Sequence, residues 1–366
     1  MKIIHCADLH LDSPMRAHLD PVKSKERKME LLETFRKMVQ YAAQEEVSTV
    51  LIAGDLFDGK HVSKTVMNAF LRQVETHPDI TFYYLRGNHD ALSLPQSEGL
   101  PKNLKLFSDT WKKYPLNASE SVFLYGVEFN GKNEHTVYDS LKMNADDFNI
   151  VMLHGQTAEH NMGDATAYIE IPKLKDKGLD YLALGHVHSY VKEPVDSRAS
   201  YCFPGCLEGR GFDECGEHGF VLMNIDEENG TYETQFIPFA QRRLYRIEVD
   251  VSGLLSSEEM REAIEQTLDT CRVDAASLVK IVLKGEIDVT CEKNVDYLLH
   301  AFEGRFYYVT IVDETRMQVD FRMYAFDESL KGEFIRNVLA SELTEAEKGE
   351  VIHFGLMALK GEEIAE

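Results

Sequence analysis

Five times within its first 190 residues, a short apolar run that reads as a buried strand ends directly in side chains able to ligate a metal. Lys2–Cys6 leads to Asp8 and His10, Thr49–Ala53 to Gly54-Asp55-Leu56-Phe57-Asp58, and Thr81–Leu85 to Gly87-Asn88-His89-Asp90. Asn149–Leu153 leads to His154-Gly155, and Tyr181–Leu184 to Gly185-His186-Val187-His188. In open α/β sheets the carboxyl ends of the strands share one rim, so groups distant in sequence are expected to meet in one pocket there.

Taken singly, each group has a bland reading. A lone D-x-H occurs by chance, an isolated histidine is more often a capped or core residue than a ligand, and G-D-x-x-D serves equally as a turn closed by an Asx hydrogen bond. Five such groups after five strands are hard to credit to chance. The residue types also agree chemically. Carboxylate and amide oxygens mixed with neutral imidazoles suit Mn²⁺, Fe or Zn²⁺ without a cysteine. Two adjacent cations need one bridging carboxylate, for which Asp55, fixed by the glycine before it, is the best placed. Paired cations polarise a phosphoryl oxygen, lower the pKa of a bound water and stabilise a leaving oxygen.

Up to about residue 240, short apolar runs alternate with longer amphipathic segments such as Pro21–Glu45 and Val62–Thr76, the rhythm of a layered α/β domain. Further strands are expected at Ser121–Tyr125, Gly219–Ile225 and Thr231–Pro238. After Arg242-Arg243 comes a compact βαβαβ pattern: strands Leu244–Val251, Leu278–Leu283 and Phe306–Val312, with helices opened by Ser256-Ser257 and spanning Asn294–Phe302. The organisation expected is thus residues 1–240, a small α/β unit at 243–313, and a helical, acidic segment at 314–366. In that segment Leu330, Phe334, Val338 and Leu339, then Val351, Phe354, Leu356 and Leu359, form apolar stripes expected to face the protein's own core.

With 366 residues and 44% hydrophobic content the chain is globular, and no apolar run reaches the length that spans a bilayer; a cytoplasmic location is expected. Its net charge of −23 argues against a protein that coats nucleic acid through a broad basic surface, so any such substrate must be gripped locally or through a partner. Six scattered cysteines suggest reduced thiols, and Cys202, Cys206 and Cys215 match no standard zinc spacing.

The five blocks resemble the calcineurin-like metallophosphoesterases, whose order is D-x-H, G-D-x-x-D, G-N-H-[DE], a histidine, then G-H-x-H. The resemblance covers about the first 240 residues. Within it, Ile4-His5-Cys6-Ala7-Asp8-Leu9-His10-Leu11-Asp12-Ser13-Pro14, and Phe203-Pro204-Gly205 with Gly209-Arg210-Gly211-Phe212, look like bacterial DNA-repair exonucleases of the SbcD type. The βαβαβ unit is similar to their capping domain. The resemblance implies a layered α/β fold, a β-sandwich flanked by helices. It also implies two divalent cations per chain, Mn²⁺ foremost, with Fe, Zn²⁺ and Mg²⁺ as alternatives.

Carried over by position, Asp8, His10, Asp55 and His188 would hold one cation, and Asp55, Asn88, His154 and His186 the other. His89, not a ligand in that scheme, would be the catalytic residue beside the scissile phosphate, protonating the leaving oxygen or stabilising charge on the phosphoryl group. Asp58 and Asp90 would orient His89 or a ligand imidazole, with loop capping as the competing role. Arg16, Lys60, Lys64 and Arg210 lie near the motif loops, where contact with a DNA backbone competes with ordinary solvation; Arg16 and Arg210 are the substrate-binding candidates.

The activity implied is metal-activated water attack on a phosphodiester, by a DNA exo/endonuclease of repair or recombination. Its partners would be DNA, an SMC-like ABC ATPase of the SbcC type docked on the helical segment, and a second copy of the chain, with no membrane. The alternatives are a phosphoesterase for small molecules such as cyclic nucleotides or phosphomonoesters, and a non-catalytic scaffold of a repair complex. The metal centre itself does not choose between these substrates.

Overall fold

β1 (Lys2–Cys6) shows how the first unit is built: Ile3 points into one core, while Ile4 and Cys6 point into another. The same alternation runs through β2 (Thr49–Ala53) and β3 (Thr81–Leu85), so these strands are buried on both faces, as parallel strands covered on two sides must be. The computed structural model describes residues 1–15, 19–59, 62–90, 99–288, 291–318 and 326–360.

The chain divides into two units, Met1–Arg243 and Leu244–Glu366. The first holds two six-stranded sheets. In one, β4 (Leu104–Leu106), β3, β2 and β1 run parallel, and β11 (Gly219–Asp226) and β12 (Thr231–Pro238) continue it antiparallel beyond β1. In the other, β6 (Val122–Gly126), β7 (Phe148–His154), β8 (Tyr181–Gly185) and β10 (Ser200–Phe203) are parallel, edged by antiparallel β5 (Lys112–Pro115) and β9 (Val191–Pro194). Leu51, Ala53 and Tyr83 of the first sheet meet Leu124, Ile150, Met152 and Ala183 of the second in a shared core.

Helices cover the outer faces. α1 (Pro21–Gln44) begins where Asp20 accepts the amides of Val22 and Lys23, with Pro21 preset for the first turn. Its Leu31, Phe35, Met38, Val39 and Ala42, at helical spacing, pack with Phe70 of α2 (Lys64–Glu75) against Ile4, Val50 and Phe82. Tyr138 of α3 (Val137–Ser140) and Leu174 pack against Val151, Leu153 and Leu182 on the second sheet. The result is the layered α/β domain that the strand and helix pattern leads one to expect, built as the β-sandwich with flanking helices that the resemblance implies.

The second unit carries a parallel sheet ordered β13 (Leu244–Asp250), β14 (Leu278–Lys284), β16 (Tyr308–Asp313). It packs against α4 (Ser257–Thr270) and α5 (Val295–Phe302) through Ile247, Ile264, Ile281 and Leu298. A capping box of Ser256 and Glu259 starts α4. A short parallel pair, β15 (Glu286–Asp288) with β17 (Arg316–Gln318), precedes α6 (Leu330–Leu339) and α7 (Glu345–Lys360).

The apolar stripes of these last helices are corrected in part. Ile335, Val338, Ile352 and Leu356 form the small core, while Leu330, Val351, Phe354 and Leu359 are exposed. Two helices packed pairwise bury one stripe each, and the residues beside it stay at the surface. No helix among the described residues is long and apolar enough to cross a membrane.

Candidate metal centre

All five motif groups lie at the carboxyl ends of parallel strands: Asp8 and His10 after β1, Asp55 and Asp58 after β2, Asn88 to Asp90 after β3. His154 ends β7, and His186 and His188 follow β8. The two sheets therefore present one rim.

Two sets of donors converge there. Asp8, His10 and His188 each offer an atom within 4.8 Å of the others, as do Asp55, His154 and His186. His10 Nε2 lies 3.2 Å from His188 Nε2, and His154 Nε2 lies 2.9 Å from Asn88 Oδ1. One oxygen, Asp55 Oδ2, faces both sets, 3.4 Å from His154 Nε2 and 4.0 Å from His10 Nε2.

The backbone of these turns is unusual. Asp8 (φ 52°), His10 (φ 44°), Asp55 (φ 47°) and His186 (φ 109°) all occupy the left-handed half of φ space, which costs a non-glycine residue about 1–3 kcal/mol. Cross-loop hydrogen bonds impose these angles. Asp8 N donates to Gly54 O at 3.1 Å and His10 N to Asp55 O at 2.9 Å. His186 N donates to the Asp8 carboxylate at 2.9 and 3.0 Å, and His89 N to Asp55 Oδ1 at 2.9 Å. The motif glycines are required by crowding. A Cβ on Gly87 would stand 2.2 Å from Asp55 Oδ1, and one on Gly54 would stand 2.0 Å from His154 Nδ1.

The imidazoles are oriented as ligands are. His154 Nδ1 must donate to Ala53 O, 2.9 Å away, which turns Nε2 inward. His188 Nδ1 bonds Glu214 Oε1 at 2.8 Å, likewise freeing Nε2. His186 Nε2 and His10 Nδ1 are buried with no hydrogen-bond partner, a costly state for nitrogens that serve nothing. Burial opposes charge on His154, yet Asp55 beside it raises its pKa to about 9, so the carboxylates call for a positive charge at this spot. Hard oxygens, inward-turned imidazoles and unpartnered buried nitrogens together fit divalent cations.

Beside the donors, His89 Nδ1 bonds Asp58 Oδ1 at 2.9 Å, and its ring meets that of His10 edge-on with centroids 5.1 Å apart. That hydrogen bond is the main cause raising the His89 pKa. Asp90 sits behind the loops, accepting from Phe57 N (2.8 Å), Gly87 N (2.9 Å) and Leu56 N (3.2 Å), so it ties the β2 and β3 turns together. Arg210 is 11% exposed and engaged by carboxylates, with Nη2 2.5 Å from Glu214 Oε1 and Nη1 3.5 Å from Asp58 Oδ2. Arg16 and Lys60 lie outside the described residues.

Three residues were not singled out from sequence. Glu214 orients His188 and pairs with Arg210, Ser13 Oγ donates to Asp58 Oδ2 at 2.6 Å, and Asp164 reaches to 3.4 Å from His186 Nε2. Ser13 lies inside the Ile4–Pro14 stretch and Glu214 two residues after Gly209–Phe212, which was the available signal; Asp164 sits in a polar loop that gave none.

A fold and rim of this kind define a metallophosphoesterase. The family model for the calcineurin-like phosphoesterase matches residues 1–190, and the chain belongs to that family, whose members bind divalent metals in a dinuclear site. Among curated proteins it is similar to the uncharacterized metallophosphoesterase YhaO of Bacillus subtilis (strain 168). The two are 28% identical over 78% of this chain and 72% of that protein. It is also similar to the DNA double-strand break repair protein Mre11 of Methanopyrus kandleri, 26% identical over 78% of this chain, and spans about two thirds (65%) of that relative's length. Among solved structures, TT1561 of Thermus thermophilus aligns over 64% of this chain and 98% of its own, at 14% identity and a TM-score of 0.40.

Proposed function

We propose that this chain is a dinuclear phosphodiesterase that cleaves DNA in repair or recombination, with Mn²⁺ as its working cation. The observation that carries the dinuclear reading is Asp55 Oδ2, a single oxygen facing both the His10 side and the His154 side of the rim. Relatives named for DNA double-strand break repair support the substrate, as does a second unit beyond the matched phosphoesterase region.

When bound, paired divalent cations polarise a phosphoryl oxygen and activate water for in-line displacement. The protein's own side chains hold and deliver the proton. Asp58 accepts from His89 Nδ1 and favours the imidazolium, which leaves Nε2–H as the proton to hand to the departing alkoxide. Asp90 and the Asp55 contact to His89 N fix the loop that carries His89. Arg210, held by Glu214 and Asp58, supplies positive charge beside His188. The exposed Val351, Phe354 and Leu359 of α7 are the surface proposed for an SMC-like ATPase.

The test is a cleavage assay with Mn²⁺ on linear and hairpin DNA, with a cyclic nucleotide as the competing substrate. Turnover of DNA that is abolished by chelation, and by Asn88→Ala or His89→Ala, is expected. Hydrolysis of the cyclic nucleotide with DNA left intact would overturn the substrate assignment, and unchanged turnover in both variants would overturn the site. Co-purification with a candidate ATPase, lost on charging Phe354, tests the partner.

A further inference from the structure

We propose that Asp164 is an eighth metal-ligating residue, supplying a carboxylate oxygen to the cation held by Asp55, Asn88, His154 and His186. This rests on the dinuclear reading above. Two adjacent donors on one cation at its usual bond lengths stand about 2.8–3.4 Å apart. The motif donors obey this spacing, with His154 Nε2 2.9 Å from Asn88 Oδ1 and 3.4 Å from Asp55 Oδ2. Asp164 Oδ2 stands 3.4 Å from His186 Nε2, the buried nitrogen that has no hydrogen-bond partner.

The carboxylate is aimed by its own loop. Asp164 Oδ1 accepts from Thr166 N at 2.8 Å, which turns Oδ2 away toward the rim. The loop itself is tied to the ligand strand by Gln156, a fully buried residue two positions after His154. Gln156 Nε2 donates to Thr166 O at 2.8 Å and to Asp164 O at 3.3 Å, and its Oε1 accepts from Met162 N at 2.9 Å. A buried amide that satisfies the backbone on either side of Asp164 is a device for placing that residue.

Charge gives the reason for the arrangement. One donor set has Asp8 together with the shared Asp55. The other has the shared Asp55 alone among neutral Asn88, His154 and His186. A hard divalent cation favours carboxylate oxygen, and Asp164 restores parity between the two positions.

Calorimetric titration of the metal-free protein with Mn²⁺ tests this, using Asp164→Ala and Asp164→Ser, the serine retaining an acceptor for Thr166 N. Wild type is expected to bind two ions. In both variants one ion should bind as before and the other at least about tenfold more weakly, the usual scale for losing a residue that supports a metal. Far-UV circular dichroism and the melting temperature should be unchanged. Two ions bound by both variants at wild-type affinity or tighter would overturn the role of Asp164 alone. Fewer than two ions bound by wild type would overturn it together with the dinuclear reading.

Discussion

His89 Nδ1 stands 2.9 Å from Asp58 Oδ1, while the other oxygen of Asp58 accepts a 2.6 Å hydrogen bond from Ser13 and faces Arg210 at 3.5 Å. The carboxylate is thereby fixed on three sides, and its hold on the imidazole keeps a proton available. Asp58→Asn should lower kcat for a phosphodiester by about 10–100-fold while two Mn²⁺ ions still bind. Steady-state kinetics beside calorimetry reads both; an undiminished kcat would remove Asp58 from the proton path.

Gly87 is a tight point between the loops that follow β2 and β3. Its own φ is not left-handed, so alanine suits the backbone there and only the methyl is at issue, 2.2 Å from Asp55 Oδ1 and 2.7 Å from His154 Nε2. Gly87→Ala should weaken Mn²⁺ binding by at least about tenfold. Calorimetry alongside circular dichroism separates this from unfolding, and normal metal affinity would refute the crowding argument.

Arg27 is a buried cation on α1. Its Nη2 bonds Glu208 Oε2 at 3.1 Å and Gly209 O at 2.8 Å, and Glu208 Oε1 accepts from Thr34 at 2.7 Å. Removing the guanidinium strands the Glu208 carboxylate in the interior, so Arg27→Ala should cost about 3–5 kcal/mol of stability. Urea unfolding measures it, and a loss under about 1 kcal/mol, the scale of an exposed pair, would contradict the buried-pair account.

His5 is buried on β1, with Nδ1 2.9 Å from Tyr181 Oη and Nε2 3.1 Å from Leu184 O. Burial drives its pKa from 6.5 down to about 3. The unfolded chain therefore binds a proton that the folded chain refuses, and stability falls as pH drops below 6.5 toward 3. At pH 5 the penalty is about 2 kcal/mol. His5→Gln should lower stability at pH 8 but flatten its decline between pH 7 and pH 5, followed by thermal melts; an identical decline would exclude His5 as the source.

The five motif groups were legible because each follows a strand whose residues are almost all apolar, and a strand end is where an α/β sheet presents side chains. Pro21 and Ser256-Ser257 marked helix starts that the structure places at the same points. Short edge strands were missed: β5 (Lys112–Pro115) and β9 (Val191–Pro194) alternate half-buried and exposed residues and contain lysine and proline, which sequence reads as loop. Asp164 was invisible for a different reason. It sits among Asn161, Gly163 and Thr166 in a loop, and only the folded path brings it to His186, as the folded path brings Glu214 to His188. On α7 an apolar stripe was legible, but which side of it would be covered depended on α6, a tertiary fact.

The left-handed angles at Asp8, His10, Asp55 and His186 are enforced by peptide hydrogen bonds inside the protein. The polypeptide thus sets the positions of the donor side chains before any ion arrives. Exchanging one divalent cation for another should then alter reactivity without redrawing the cavity, and stripping both should leave an apoprotein ready to be reloaded.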